Sequence, residues 1–332
     1  MVEMFEAVRP RSFGLGRTDS NPHQVVVRIK AIGHTPFHTD DLHSTTTRLG
    51  SSQQPQPSIV AIAGEVTEVH SAVTAVRTGT QVVAYTMIPK SPQQPEHIAA
   101  TRFFLKPTDL SFEDAADMAM AYLTALAILQ QSLGIPTVFA QAERDEAHPG
   151  RNVLIIGGQT ALGAALTQVL RVVEPDCKIL VTSAMNDQYQ LLQRTIHLLR
   201  IGATYAIDGL TTDLIKHLRA AMAQYNEVEG VDIIIDAGGE VAHRKQLLEL
   251  TVGPKIFVDC CAENGRMSTM ALLVEREDVL EQLEQLLQKA ADALGTVTVP
   301  GCALVMTSGL LYMIMPSSNV LERRQSNVWT WK

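Results

Sequence analysis

The chain has 332 residues, 46% of them apolar, and a formal charge of −8 from 27 basic and 35 acidic side chains. Such a length and apolar fraction suit one large folded unit or two cooperating ones and exclude a disordered chain. The acidic balance offers no broad attraction for nucleic acid or an anionic membrane, so neither is expected as a partner, although backbone amides can still hold an anionic cofactor.

Four cysteines, Cys177, Cys260, Cys261 and Cys302, form no CxxC pair, which favours a reducing compartment. The opening MVEMFEAVRP carries no apolar signal-peptide core, and no uninterrupted apolar stretch reaches the roughly 18 residues of a membrane span. A cytoplasmic location is the expectation.

In chain order, the first part is strand-rich. Gln24 to Ile32, Ile59 to Val69 and Gln81 to Tyr85 are dense in β-branched residues, and Pro55, Pro57, Pro89, Pro92 and Pro95 punctuate their connections. These short strands and polar turns predict an antiparallel or partly closed β domain. The period then changes between Asp109 and Gln131. Ser111 and Asp114 have capping-box spacing, and Ala115, Met118, Ala119, Tyr122 and Leu123 supply an apolar helical face.

From Asn152 the pattern alternates. Val153 to Ile156 reads as a strand, Thr160 to Val173 as a helix and Lys178 to Thr182 as the next strand. Helices follow at Gln188 to Arg200 and Asp213 to Gln224, with short strands at Tyr205 to Ile207 and Val231 to Ile235. Near-continuous apolar strands joined by helical crossovers predict a doubly wound parallel sheet of Rossmann type. In the tail, Val279, Leu280, Leu283, Leu287 and Ala290 mark one side of a helix, and Val297 to Met306 reads as a strand broken or edged by Pro300.

The sequence VLIIGGQTALGAALTQVL, from Val153 to Leu170, carries the chemistry. A strand delivers the chain to Gly157 and Gly158, where glycine permits a tight turn and close approach of a pyrophosphate. Gly163 and Ala164 let the following helix pack closely, and its N-terminal amides can bind phosphate. The string is not a clean GxGxxG, and a structural turn before an ordinary helix is the competing reading; the strand before and the alternation after favour a nucleotide site. Gln159, Thr160, Ala161 and Leu162 complete the turn.

The following strand ends at Thr182-Ser183 without the acid that commonly accepts from an NAD ribose. Ser183, Asn186 and Tyr189 offer hydrogen bonds to a 2′-phosphate, while Asp187 and the absence of Lys or Arg before Arg194 argue the other way. NADP over NAD is the expectation. His34, His38 and His43, with Asp40 and Asp41 between them, invite a zinc site, but they share one loop and have no matching cysteine pair. No metal is expected.

The segments PHQVVVRIKAIG, IAGEVTEV, LKPTDLSFEDAADMAMAYLTAL, VLIIGGQTALG and VDIIIDAGG together resemble the medium-chain dehydrogenase/reductase superfamily. The resemblance covers roughly Pro22 to Asp259 and points to the zinc-independent quinone oxidoreductase and enoyl reductase branch, with fungal stand-alone enoyl reductases serving polyketide synthases as the nearest likeness. It implies an α/β fold, a Rossmann-type doubly wound parallel sheet plus a GroES-like β-barrel domain, with NADP between them. The expected division is a GroES-like domain over 1–125, a Rossmann domain over 126–265 and an atypical, shortened returning segment over 266–332.

The same resemblance nominates Tyr122 and Thr124 beside the nicotinamide, with packing as the alternative role for Tyr122. It also nominates the Gly157 to Gly163 turn, Ser183, Ala237 and Gly238 of the DAGG turn, and Cys260 for the cofactor. Gly64-Glu65 lacks the histidine of the zinc-dependent GHE motif, and the loop from His34 to Pro57 lacks the branch's usual Asn-Pro. The activity implied is NADPH-dependent reduction of an α,β-unsaturated carbonyl on a small-molecule or carrier-bound acyl substrate, with a polyketide synthase as partner and a monomeric or homodimeric chain. A reductase-like scaffold catalysing a non-redox cyclisation, or a non-catalytic synthase partner, stands beside it.

Overall fold

The computed structural model describes residues 23–33, 58–88, 95–133, 151–184, 186–210, 214–224, 230–238, 244–260, 270, 273–294, 303–307 and 310–314. The first unit is an antiparallel sheet of β1 (Val25–Gly33), β2 (Ser58–Val69), β3 (Gln81–Ile88), β4 (His97–Ala100) and β5 (Arg102–Leu105), in the order β4-β1-β2-β3-β5. Register shifts within the β1–β2 pair bend the sheet into a curled half-barrel. Alternation divides its side chains: Val25, Val27, Val60, Ile62, Val82 and Ala84 form one cluster, while Ala61, Ala63, Val83 and Tyr85 join the main core.

That main core is organised by α1 (Phe112–Leu133). Nearly every residue from Ala115 to Leu129 is buried, as expected of a helix that is apolar all round and enclosed by protein. Its start is capped as the spacing predicts, with one difference. The Ser111 Oγ accepts from the Asp114 amide at 2.9 Å, but the Asp114 carboxylate takes the Ser111 hydroxyl at 2.7 Å rather than a backbone amide. On the barrel side the Tyr85 hydroxyl donates to the Ala119 carbonyl at 2.9 Å, fixing β3 to α1.

The second unit is a parallel sheet in the order β10-β9-β6-β7-β8, formed by β6 (Asn152–Ile156), β7 (Lys178–Ser183), β8 (Tyr205–Asp208), β9 (Val231–Asp236) and β10 (Thr251–Asp259). Helices α2 (Ala161–Val173) and α3 (Gln188–Arg200) lie in the crossovers from β6 to β7 and from β7 to β8, while α4 (Leu214–Gln224) and the short α5 (Arg244–Leu247) follow β8 and β9. Successive residues of β6 face opposite ways: Val153 and Ile155 join the α1–α2 core, whereas Leu154 and Ile156 pack with Leu214, Leu218 and Met222 of α4. Both faces are therefore covered, which explains the unbroken apolar strands of the sequence.

The tail contributes α6 (Glu277–Leu294) and a two-stranded hairpin of β11 (Ala303–Thr307) and β12 (Leu310–Ile314). Helix α6 buries Val279, Leu283, Leu286, Leu287 and Ala290 in the α1–α2 core. It also reaches the barrel: Glu284 accepts from the Leu105 amide at 3.3 Å, and burial raises its carboxyl pKa. No helix among the described residues is long and apolar enough to cross a membrane.

Candidate functional site

The strand order reverses beside β6. The chain runs from β6 to β7 and β8 in one direction, then returns to β9 and β10 on the other side. At such a switch point the crossovers diverge and leave a crevice beyond the carboxyl ends of the strands. The turns after β6 and β9 and the residue after β10 come together there. Ala237 donates its amide to the Ile156 carbonyl at 2.9 Å, and Cys260 donates its amide to the Asp236 carbonyl at 3.0 Å. The Asp236 carboxylate in turn accepts from the Gly238 amide at 3.0 Å. Gly157, Ala237, Gly238 and Cys260, distant in sequence, thus share one edge.

Two of the glycines are demanded by the fold itself. Gly157 has φ +86°, and a Cβ there would lie 2.6 Å from the Gly238 backbone. A Cβ on Gly163 would lie 2.3 Å from the Gly157 carbonyl oxygen. These contacts account for the glycines by turn-on-turn and helix-on-turn packing, so a ligand must be argued from what the turn leaves open. Thr182, which the sequence reading did not single out, holds the turn: its carbonyl accepts from the Gly158 amide at 2.7 Å and its Oγ1 from the Gly157 amide at 3.3 Å.

Thr160, expected as the first helical residue, stands outside α2 as its N-cap. Its Oγ1 accepts from the Gly163 amide at 3.0 Å and donates to the Gly157 carbonyl at 2.8 Å. Ala164 bonds the Thr160 carbonyl at 3.1 Å. The amides of Ala161 and Leu162 lie in the first turn and have no intrahelical acceptor, so they remain as donors at the positive end of the helix dipole.

The end of β7 supplies further polar groups. Ser183 is 1% exposed, and its hydroxyl has no hydrogen-bond partner among the described residues. Gln159 crosses from the turn to this strand end, where its Oε1 accepts from the Ala184 amide at 3.1 Å. Asn186 and Tyr189 follow in the exposed entry to α3, Tyr189 at 68% exposure. The two nearby acids each accept one local backbone hydrogen bond. Asp187 accepts from the Gln190 amide, and Asp208, which lies opposite Ser183 in the β7–β8 register, accepts from the Leu210 amide, both at 2.9 Å.

Tyr122 and Thr124 both lie on α1. Tyr122 is buried in α1, and its hydroxyl donates to Gln168 Oε1 at 2.5 Å. Gln168 lies about 12 Å along α2 from the N-cap, at 1.5 Å per residue. Its Nε2 donates onward to the Leu286 carbonyl of α6 at 3.2 Å. Burial raises the phenol pKa, and the hydrogen bond gives the group a structural task, joining three helices. Thr124, fully buried, donates to the Met120 carbonyl of its own helix at 2.8 Å. Neither hydroxyl is a free donor. The signal for Gln168 was present in the sequence as an amide within the apolar run ALTQVL, but its partner is 46 residues away.

On the barrel, Glu65 pairs with Arg28 and stands 3.9 Å from Lys30; the Arg28 hydrogen bond is the main cause lowering its carboxyl pKa. His34, His38 and His43 lie outside the described residues. Among the described residues no three His, Cys, Asp or Glu side chains gather as a metal-binding group.

Comparison with known proteins agrees with this architecture. Residues 21–103 match the alcohol dehydrogenase GroES-like domain. An alcohol dehydrogenase superfamily protein from Novosphingobium aromaticivorans superposes with a TM-score of 0.52 at 20% identity, over 85% of this chain and 82% of that one. The chain shares with these proteins a GroES-like sheet followed by a Rossmann-type parallel sheet. An NAD-dependent alcohol dehydrogenase structure gives a TM-score of 0.53 at 16% identity, covering 82% of each chain. Among curated proteins, the zebrafish (Danio rerio) synaptic vesicle membrane protein VAT-1 homolog is 26% identical over 148 residues, 44% of this chain. That match spans only 25% of the zebrafish protein.

Proposed function

We propose that this protein binds NADP(H) at the switch point and reduces a carbon–carbon double bond conjugated to a carbonyl. The observation that carries the reading is a set of donors on one edge with no partner among the described residues: the first-turn Ala161 and Leu162 amides together with the buried, unpartnered Ser183 hydroxyl. Their chemistry fits a dinucleotide. A pyrophosphate is an acceptor without hydrogens to donate, and the helix dipole favours its charge. The hydrogen-bonded Gly157 and Gly238 turns supply a side-chain-free surface against which it can lie.

When bound, the nicotinamide supplies a hydride. The chain's own work is to hold that ring and the substrate in register and to exclude water. Gly157, Gly158, Ala161, Leu162 and Gly163 hold the pyrophosphate, Ala237 and Gly238 face the cofactor, and Cys260 closes the floor beside them. Ser183, Asn186 and Tyr189 stand at the adenosine end. Tyr122 and Thr124 fix α1 behind this edge and leave proton transfer to other groups. The alkene gains a hydride at its β-carbon and a proton at its α-carbon.

Reduction of an activated alkene is favoured over alcohol oxidation by the composition of β2. Gly64 is followed directly by Glu65, without the histidine of the zinc-dependent motif, and Glu65 is committed to Arg28. A conjugated alkene accepts hydride with hydrogen-bond stabilisation of the enolate oxygen alone. The substrate class is an enoyl or polyketide-like acyl group, free or carrier-bound, with a polyketide synthase as the partner that presents it.

The test uses NADPH deuterated at the transferable position and a set of enoyl thioesters of graded chain length. The expected result is cofactor oxidation with one deuterium at the β-carbon of the product. A thioester converted with unchanged mass and no NADPH consumption would favour cyclisation, and binding without turnover of any member would remove the reductase assignment.

A further inference from the structure

The passage from the barrel to the helices is braced at more points than a connecting turn requires. The chain leaves β5 at Leu105 and enters α1 at Phe112. Lys106, 7% exposed, opens this passage, and its ammonium donates to the Pro107 carbonyl at 2.8 Å and to the Leu110 carbonyl at 2.5 Å. It also stands 5.2 Å from the centre of the Phe112 ring, close enough for the ring face to attract the cation. The Lys106 amide donates to the Gln81 carbonyl of β3 at 3.1 Å. The turn is closed on itself and fixed to the barrel. Further along α1, a Cβ on Gly33 of β1 would come within 2.1 Å of the Ala116 carbonyl oxygen, and the Tyr85 hydroxyl of β3 bonds Ala119. The barrel and α1 therefore form one body.

Against that body stands α6, which follows the parallel sheet in the chain. Its apolar side shares a core with α1 and α2, and Gln168 of α2 bonds its Leu286 carbonyl. Its polar side reaches β5, at one end of the barrel sheet. Glu284 accepts from the Leu105 amide at 3.3 Å, and Arg102 meets Glu275, just ahead of α6, at 3.2 Å. Adjoining units of one chain move relative to each other by default unless a broad apolar interface joins them. Here the interface is apolar along α1 and cross-braced at β5.

We propose that α6 is a strut which, with the passage locked by Lys106, holds the barrel at one fixed angle to the parallel sheet. The exposed Arg102 pair contributes little alone. The weight falls on Lys106, whose truncation leaves two carbonyls of buried residues without its ammonium, and on Glu284, which occupies an amide of an end strand. The fixed angle holds whatever ligand the crevice takes.

Double electron–electron resonance on the full chain tests this. Spin labels are placed at Glu68 on β2 and Arg219 on α4, both exposed. They are attached by a non-cysteine chemistry, because the chain has four cysteines of its own. The parent should give a single narrow distance population. Glu284→Ala and Lys106→Met should each broaden it or add a second population, and the double variant should do so further. Circular dichroism and urea unfolding report whether each variant is folded. A side chain that serves stability alone would lower the unfolding midpoint and leave the distance unchanged. More than one population in the parent would overturn the proposal, as would a single unchanged population in either variant that remains folded. Should Lys106→Met fail to fold, the parent and Glu284→Ala still decide.

Discussion

Helix α2 carries two polar sites about two turns apart, and they have opposite characters. At its N-terminus, Thr160 satisfies the Gly163 amide and leaves those of Ala161 and Leu162 without an intrahelical partner, beside a Ser183 hydroxyl that has none among the described residues. At its middle, Gln168 is closed on both sides, accepting from Tyr122 and donating to Leu286. The first is partly exposed, with Ala161 at the surface and Ser183 buried, whereas the second is buried within the apolar core. A buried polar group left open carries a desolvation cost that a ligand can relieve, while one that is closed fixes the register of the elements it joins. On the function proposed above, the first is the ligand site, and the second is a fastening between helices.

The sharpest way to break the comparison is Gly157→Val. A side chain there must adopt φ +86° and enter the Gly238 backbone, 2.6 Å from the ideal Cβ position. Strain and overpacking together should destabilise the Rossmann unit by about 3 kcal/mol or more, read by urea unfolding, and abolish nucleotide binding. Stability within about 0.5 kcal/mol of the parent, a change typical of indifferent surface positions, would show that the turn tolerates separation from Gly238.

A smaller effect is expected at the closed site. Tyr122→Phe leaves Gln168 Oε1 buried without its donor and should cost about 1–3 kcal/mol. Tyr122→Phe combined with Gln168→Leu removes both partners and should recover most of that loss. Kd for NADPH should stay within about twofold throughout, since neither group belongs to the open edge. A large fall in affinity in the single variant, not restored in the double, would return Tyr122 to the cofactor site.

Much of the architecture was legible in the sequence because its signals are local. The Gln188–Arg200 helix and the strand at Val153–Ile156 are where periodicity and β-branching put them, with the strand beginning one residue earlier at Asn152. Thr160 was misassigned by one position because an N-cap and a first helical residue look alike until backbone angles are known. The strands His97–Ala100 and Arg102–Leu105 escaped notice: four residues each are too few to show a period. In the tail, a strand runs over Ala303–Thr307, and residues 297–302, Pro300 among them, fall outside the described structure.

The site was less legible than the fold. The glycines announced a tight turn, but what that turn touches depends on strand order, which brings Gly238 to Gly157 and Ala184 to Gln159. Family resemblance placed Tyr122 by its neighbourhood in sequence. The hydrogen bond to Gln168, which decides what its hydroxyl does, spans two elements packed together by the apolar core and has no local signature.

Amide hydrogen exchange, measured with and without NADP+, tests the central claim most directly because it reads the open donors themselves. Binding at the switch point should slow exchange in the segments containing Ala161, Leu162, Ala184 and Gly238, and leave the Met120–Leu126 stretch of α1 unchanged. No added protection at the glycine turn under saturating nucleotide, or protection confined to the barrel strands, would contradict the placement of the cofactor on this edge.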